Sequence, residues 1–414
     1  MRFGLLTQWY DPEPGPAALP GVLARGLHER GHEVRVLTGL PNYPTGKLAA
    51  GYQMRLRQQE QLGGVDVHRV ALYPDHSSSS IRRMANYASF GAAATVLGLG
   101  ALRGLDALWV NYSPITVAWP MLTAKLAFGV PSVVHVLDLW PDTVLAGGFA
   151  TDGRLYRAAS SPLNAWCRSM YSAATAVAYI SPGVGDVLHG RGVPRDKLHF
   201  VPMWADEQVF RPSSVHLRHE LGLSEDQIVL LYAGALGGAQ GLGSLLQACA
   251  RIRDPRFVAL IAGSGTAESA LRSEADELGL TNVCFLGRFP QDQMTELMAT
   301  ADMSYVSLSS HPLSAVTMPS KTQAALAAGR PVVVAADGDV LRIIDEGGTG
   351  FTAAAGDVDG ITQALDQACE LGRPGLAELG KRARRYYDRQ FSARSGVDRI
   401  EGLLLEAAAK GANA

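Results

Sequence analysis

Residues 228–243, IVLLYAGALGGAQGLG, read as an apolar strand (Ile228–Ala233) that runs into a glycine-rich turn and then a helix. The same unit recurs downstream. Phe257–Ala262 (FVALIA), Val283–Leu286, Met303–Val306 and Pro331–Ala335 (PVVVA) are strand-like, with helical stretches between them. Upstream, Arg2–Thr7 precedes a helix predicted over Pro16–Arg30, and His32–Thr38, Asp106–Asn111 and Pro131–Leu137 continue the alternation. Alternating strands and helices imply parallel sheets covered on both faces. A single sheet of ten or more strands is unusual, so the expected class is α/β with two doubly wound, Rossmann-like domains. The chain's 414 residues suit that division. The boundary is expected in Val201–Ser214, a stretch with two prolines between the two series. It gives domains of 1–208 and 209–391.

Composition narrows the function classes. Lys plus Arg is 37 and Asp plus Glu 39, a net charge of −2, unlike the basic excess of a dedicated nucleic-acid binder. Residues 1–212 hold 19 basic and 15 acidic side chains; the remainder is acidic on balance. A hydrophobic share of 47% is that of a folded chain. Cys167, Cys249, Cys284 and Cys369 are scattered, and MRFGLLTQWY has no secretory pattern, so a reduced, cytoplasmic setting is expected. Ser77–Ser80 reads as a mobile loop. Met84–Leu102 has no charged residue and follows Arg82 and Arg83. It reads as a mostly buried helix; the competing reading is an apolar face with a basic collar, giving peripheral contact with a membrane.

In doubly wound domains ligands lie beyond the carboxyl ends of the strands, and between two such domains the cleft is the default site. Gly15 ends the loop after the first strand, where helix-start N–H groups hold an anion or a tight turn needs glycine. Gly234, Gly237, Gly238, Gly241 and Gly243 form a donor-rich loop that is neither GxGxxG nor a Walker loop. Arg288, after Leu286-Gly287, is a cation at a strand end. In Met318-Pro-Ser-Lys-Thr-Gln323, Pro319 opens a helix whose first turn holds Ser320, Lys321, Thr322 and Gln323. Lysine there opposes the helix dipole, and a bound phosphate would offset the cost. His135-Val-Leu-Asp-Leu-Trp-Pro-Asp142 sets a histidine and two carboxylates, Asp138 and Asp142, near one strand end. Asp337-Gly-Asp339 and Asp357-Val-Asp359 read as structural, Asp357 as an N-cap, and no metal is expected.

These segments together resemble the family 4 glycosyltransferases, and more narrowly the bacterial fucosamine-transferase subgroup of O-antigen and capsule synthesis. The matching residues are Thr38-Gly-Leu-Pro-Asn42-Tyr43-Pro44 with Gly46-Lys47, HVLDLWPD, Tyr232-Ala-Gly with Ala239-Gln240-Gly241-Leu242, Gly287-Arg288-Phe289-Pro290 and PSKTQAALAAGRP. The resemblance implies the GT-B architecture, two Rossmann-like domains facing across a cleft, with a last helix near 397–409 crossing back so that 392–414 joins the N-terminal domain. It implies retaining transfer of a sugar, the donor on the C-terminal domain and the acceptor on the N-terminal one. Val316 and Ala324 stand where the wider family has two glutamates, and Ala235 and Gln240 where it has Arg and Lys. The donor phosphates then depend on Lys321, Arg288 and backbone N–H groups, and Gln323 takes over the nucleoside.

The expected activity is transfer of an N-acetylated hexosamine or deoxyhexosamine from a UDP-sugar to an acceptor hydroxyl, with no cofactor required. Donor residues are Gly15, Gly234, Gln240, Gly241, Arg288, Phe289, Ser320, Lys321, Thr322 and Gln323. Acceptor residues are Asn42, Tyr43, Asp138 and Asp142; His135, Asp138, Lys321 and Arg288 carry the chemistry. A lipid-linked saccharide is the expected acceptor, with peripheral contact at the inner membrane face. Competing readings are a secondary-metabolite transferase with a soluble acceptor, a nucleotide-sugar 2-epimerase, and a catalytically dead nucleotide-sugar binder.

Overall fold

The computed structural model describes residues 1–15, 19–77, 79–142 and 153–412. The chain divides into two compact units, Met1–Pro202 with Gly396–Ala414, and Met203–Ser395.

The first unit runs β1 (Arg2–Leu6), α1 (Leu19–Glu29), β2 (Glu33–Gly39), β3 (Arg57–Leu62), β4 (Val65–Val70), α2 (Ser80–Val96), β5 (Ala107–Asn111), α3 (Ala118–Phe128), β6 (Ser132–Val136), α4 (Gly153–Ala173), β7 (Ala176–Tyr179), α5 (Pro182–Gly190) and β8 (Leu198–Phe200). The sheet order is β3-β4-β2-β1-β5-β6-β7-β8, parallel except for β3, which pairs antiparallel with β4. β5 and β6 are buried along their whole length, as strands covered on both faces must be. From β1 to β2 the chain steps one way along the sheet, and from β4 through β7 the other way. Right-handed crossovers therefore put α1 on one face and α2, α3 and α4 on the other.

The second unit runs β9 (Ile228–Ala233), α6 (Gly243–Cys249), β10 (Phe257–Ala262), α7 (Glu268–Glu277), β11 (Val283–Gly287), α8 (Met294–Thr300), β12 (Met303–Ser307), α9 (Ser320–Ala327), β13 (Val332–Ala335), α10 (Asp339–Gly347), β14 (Gly350–Ala353) and α11 (Val358–Gln390). Its sheet is parallel throughout, in the order β11-β10-β9-β12-β13-β14. Its core lies on both faces: Ile228, Leu230 and Tyr232 point into one cluster, Val229 and Leu231 into the other. α11 is two helical pieces meeting at Gly372, whose φ of 61° breaks the spiral. Asp357 caps it, accepting from Gly360 N at 3.0 Å. Asp339, the end of the other D-x-D triplet, pairs with Arg342 at 2.5 Å.

The last helix, α12 (Ala393–Ala412), packs on α1 of the first unit; a Cβ on Gly26 would lie 3.1 Å from Val397. Arg30 binds Asp398 and Glu401, and His32 Nε2 lies 2.6 Å from Glu401. Ile400, Leu403, Leu404 and Ala407 are buried beneath it. Each such Ile or Leu stabilises the unit by about 1.5–3 kcal/mol relative to exposure.

In the serine run, Ser77 bonds Asp75 through its N and Oγ and Ser79 caps α2 toward Arg82 N, while Ser78 lies outside the described residues. α2 ends at Val96, and a short 3-10 turn over Leu99–Leu102 completes the uncharged stretch. No helix among the described residues is long and apolar enough to cross a membrane.

Candidate active site

In the second unit the carboxyl ends of β9, β12 and β10 gather the glycine loop and the start of α9. Gly234, φ 153°, follows β9, and a Cβ there would lie 2.2 Å from Lys321 Cε. The loop backbone and the lysine stem thus touch because position 234 has no side chain. Gly263, after β10, comes equally close to Gly234: its Cβ would meet Gly234 O at 1.8 Å. The turn over Gly238–Gln240 is closed by its own glutamine, whose Oε1 accepts from Gly237 N at 3.1 Å. Ser307 and Ser309 fasten this turn to the end of β12, by Ser307 Oγ to Gln240 O at 2.6 Å and Ser309 N to Ala239 O at 2.9 Å. Sequence reasoning missed both serines. Gly241 takes φ 60° and ends the turn.

Lys321 is half-buried, with Nζ 5.3 Å from the centroid of the Tyr232 ring. Among the described residues no carboxylate comes within ion-pair distance of it, and burial lowers its pKa below the ordinary lysine value. A desolvated, unpaired ammonium at a helix start is a site that an anion would stabilise. Its neighbours on α9 point the same way. Thr322 and Gln323 are buried, and Thr322 Oγ1 and Gln323 Oε1 have no hydrogen-bond partner. Buried polar groups left unpaired cost roughly 1–3 kcal/mol each, which a ligand hydrogen bond would relieve. Ser320 opens the helix after Pro319. Arg288, exposed just past β11, has no carboxylate partner among the described residues, while Phe289 packs partly into the core below it.

The first unit rearranges the sequence-derived acceptor set. His135 lies within β6 and is fully buried, with Nε2 2.8 Å from Val201 O and its ring edge-on to Trp109. It supports the chain at Val201, and its Nδ1 is buried without a hydrogen-bond partner. β6 is covered on both faces, so a side chain on either side of it is enclosed. Burial lowers its pKa from 6.5 to about 4, so the native ring is neutral and donates from Nε2. The unfolded chain takes up a proton near 6.5 and the native chain only near 4. Stability is therefore full above pH 6.5 and falls by up to about 3 kcal/mol as pH drops to 4. Urea unfolding across that window should show the loss, and His135→Gln should flatten it.

Asn42 is also turned inward. Its Nδ2 donates to Leu40 O at 3.0 Å, and its Oδ1 accepts from Asn86 at 3.5 Å. Tyr43 is half-buried against the His76 ring. Both are held by Glu13, a buried carboxylate that accepts from Asn42 N at 2.8 Å, Tyr43 N at 2.9 Å and Tyr10 N at 3.0 Å. Burial pushes its carboxyl above the ordinary value against those three N–H groups and Arg69. Asp142 is engaged by Arg191. Gly15 stands open, φ 66°, with nothing within 4 Å of a Cβ placed on it.

Asp138 differs from these. It is solvent-accessible, yet surrounding protein raises its carboxyl pKa, against a hydrogen bond from Ser113 that lowers it. Aromatic rings lie nearby: Trp140 edge-on to Tyr87 at 6.3 Å, Tyr87 to Trp9 at 6.1 Å, and Trp9 to His76 at 6.4 Å. Trp9 Nε1 and His76 Nε2 are buried and unpartnered. Trp9, His76 and Tyr87 come from three separate segments, so no spacing in the sequence announces them.

Comparison with known proteins bears on both units. Residues 15–204 match the glycosyl transferase 4-like domain, and residues 216–386 match the glycosyl transferases group 1. The colanic acid biosynthesis glycosyl transferase WcaI of Escherichia coli (strain K12) is 28% identical over 335 residues, 79% of this chain and 81% of that one. The N-acetyl-alpha-D-glucosaminyl L-malate synthase of Bacillus anthracis is 25% identical over 407 residues, 95% of each. Anabaena HepE, solved in complex with UDP, superposes with a TM-score of 0.70 at 17% identity, over 98% of this chain and 100% of that chain.

Proposed function

Starting from a chain that belongs to the group 1 glycosyltransferases of GT-B fold and uses nucleotide sugars, we propose a retaining transferase. It moves an N-acetylated hexosamine or deoxyhexosamine from a UDP-sugar to a hydroxyl of a lipid-linked saccharide. The observation that carries this reading is the half-buried Lys321, without a carboxylate partner among the described residues, beside the orphaned Thr322 and Gln323 oxygens. The UDP complex of the HepE neighbour and the saccharide-building relatives support it.

In the proposed reaction the bond between the anomeric carbon and the diphosphate breaks, and the leaving oxygen gains negative charge. Lys321 and Arg288 neutralise that charge, with N–H groups of the α9 start and of the Gly234–Gly241 loop. These groups are fixed before the reaction, so little reorganisation is needed at the transition state. Gln323 and Thr322 hold the nucleoside side of the donor. On the first unit, Asp138 orients the acceptor hydroxyl, and its raised pKa suits it to share the proton being released. Trp9, Tyr87 and Trp140 offer ring faces and edges for an acceptor sugar. His135, Asn42 and Asp142 act as supports rather than contacts. No cofactor enters the step.

The test is incubation of the chain with UDP-N-acetylhexosamines, with and without lipid-linked acceptors, followed by NMR of the product. Transfer that keeps the donor's anomeric configuration is expected, with Asp138→Asn slowing it about a hundredfold. Inverted product would overturn the retaining step. Conversion of donor alone to its epimer would point to an epimerase, transfer only to soluble small molecules to the secondary-metabolite class, and UDP binding without any turnover to a binding protein.

A further inference from the structure

We propose that three arginines at the amino-terminal edge of the second unit's sheet, Arg218, Arg330 and Arg373, form a binding site for a phosphate group. It lies at the other end of the sheet from the donor loop. The site is built where the chain enters three adjacent strands. Arg218 precedes β9, Asp302 stands directly before β12, and Arg330 lies two residues before β13. β9, β12 and β13 are neighbours in the sheet and run parallel, so their amino ends share one edge. Arg373 joins them from α11, just past the break at Gly372.

Hydrogen bonds within the cluster leave one guanidinium short of acceptors. Asp302 has both oxygens engaged: Oδ2 accepts from Arg218 at 2.6 Å and from Val229 N at 2.9 Å, and Oδ1 from Arg373 Nε at 3.1 Å. Arg218 places Nη1 on the carbonyls of Ser224 and Gln227, at 3.1 and 3.0 Å. Arg373 turns Nη1 toward Glu225, whose carboxylate is 3.3 Å away and 75% exposed. Arg330 has none of these partners. Its Nη2 donates to Ala299 O at 3.2 Å, its Nε is buried without a hydrogen-bond partner, and it makes no ion pair among the described residues.

The charge points the same way. Three guanidiniums face Asp302 and the exposed Glu225, an excess of one positive charge. Burial holds the Arg330 pKa below the ordinary arginine value; Asp302 opposes that, and Arg218 and Arg373 add to it. Arginine keeps its proton even so, and an anion is what relieves the site. The planar fork of N–H donors matches the oxygens of a phosphate. Arg373 is 36% exposed and gives the ion a way in toward the buried Arg330. Among the described residues no aromatic ring stacks on any of the three, so the cluster selects the phosphate group rather than a base or a sugar ring. Free orthophosphate and a sugar phosphate share that group. α9 separates this site from the donor site: Lys321 is in its first turn, Arg330 lies past its last, and eight residues of helix span about 12 Å.

The test is calorimetry of the full chain in inorganic phosphate and in glucose 6-phosphate, each against chloride at matched ionic strength. At ten times its Kd the phosphate should raise Tm by about 3 °C or more. Lys321→Ala should keep that rise, because the donor site is elsewhere. Arg330→Met, which removes the cation and fills its space, should lose it. Asp302→Ala should respond more strongly than the wild type, since its cluster carries a larger excess of positive charge. If Arg330→Met does not fold, Arg373→Gln, at a partly exposed position, makes the same comparison. A larger rise with glucose 6-phosphate would assign the site to a sugar phosphate, and an equal or smaller one to the free ion. No rise in the wild type, a rise abolished by Lys321→Ala, or a full rise in the Arg330 or Arg373 variant would each overturn the proposal. Melting reads binding without sugar transfer, so failure here leaves the proposed reaction untouched.

Discussion

Replacing Lys321 by alanine should lower turnover by roughly a hundredfold to a thousandfold, the scale seen when one preorganised charge-stabilising group is removed. The fold should persist. The ammonium is half-buried with no carboxylate partner among the described residues, and burial already disfavours its charge. Removing it therefore relieves a desolvation cost, and Tm should stay level or rise slightly. That pairing of results separates a role at the diphosphate from a structural one: a lysine that held the loop together would lose Tm along with activity. Lys321→Arg keeps the charge, but its planar head must fit where Gly234 approaches the stem. Partial rescue is expected. Turnover near the wild-type value in the alanine variant would remove Lys321 from the reaction.

The largest loss of stability is expected at Asp302. Its Oδ2 accepts from Arg218 at 2.6 Å and from Val229 N at 2.9 Å, and its Oδ1 from Arg373 Nε at 3.1 Å. Arg218 is buried, and its other donors reach Ser224 O at 3.1 Å and Gln227 O at 3.0 Å. Asp302→Ala leaves a buried guanidinium without its counter-charge, at about 3–5 kcal/mol. For a domain of this size that corresponds to a Tm lower by roughly 10 °C, measurable by calorimetry. Adding Arg218→Met to Asp302→Ala should restore part of the loss, because the stranded charge is then gone. If Asp302→Ala melts with the wild type, the network contributes little.

The parallel core was legible in the sequence because strands covered on both faces are continuous apolar runs. IVLLYA, FVALIA and ALWVN occupy β9, β10 and β5. β3, RQQEQL, was not legible: it is an edge strand with one neighbour, and its alternation of exposed and half-buried polar residues gives no hydrophobic signal. Lys321 could be read from its sequence neighbours alone, since Pro319 and Gly329 bracket a helix and fix where its first turn falls. Closeness to two aspartates along the chain says nothing of depth: His135 lies inside β6, which is buried throughout, while Asp138 follows the end of the strand and is accessible. Asn42 is enclosed likewise. What holds it is Glu13, distant in sequence, whose three N–H partners are created only by folding. Ser307, Ser309, Trp9 and His76 belong to the same class of contacts, made between the ends of separate strands.

The most direct measurement is a crystal structure of the chain with UDP. The diphosphate is expected against Lys321 Nζ and the N–H groups at the start of α9, with Thr322 Oγ1 and Gln323 Oε1 newly hydrogen-bonded. A diphosphate bound anywhere else, or a well-occupied UDP that leaves Lys321 and both oxygens unpartnered, would contradict the donor site.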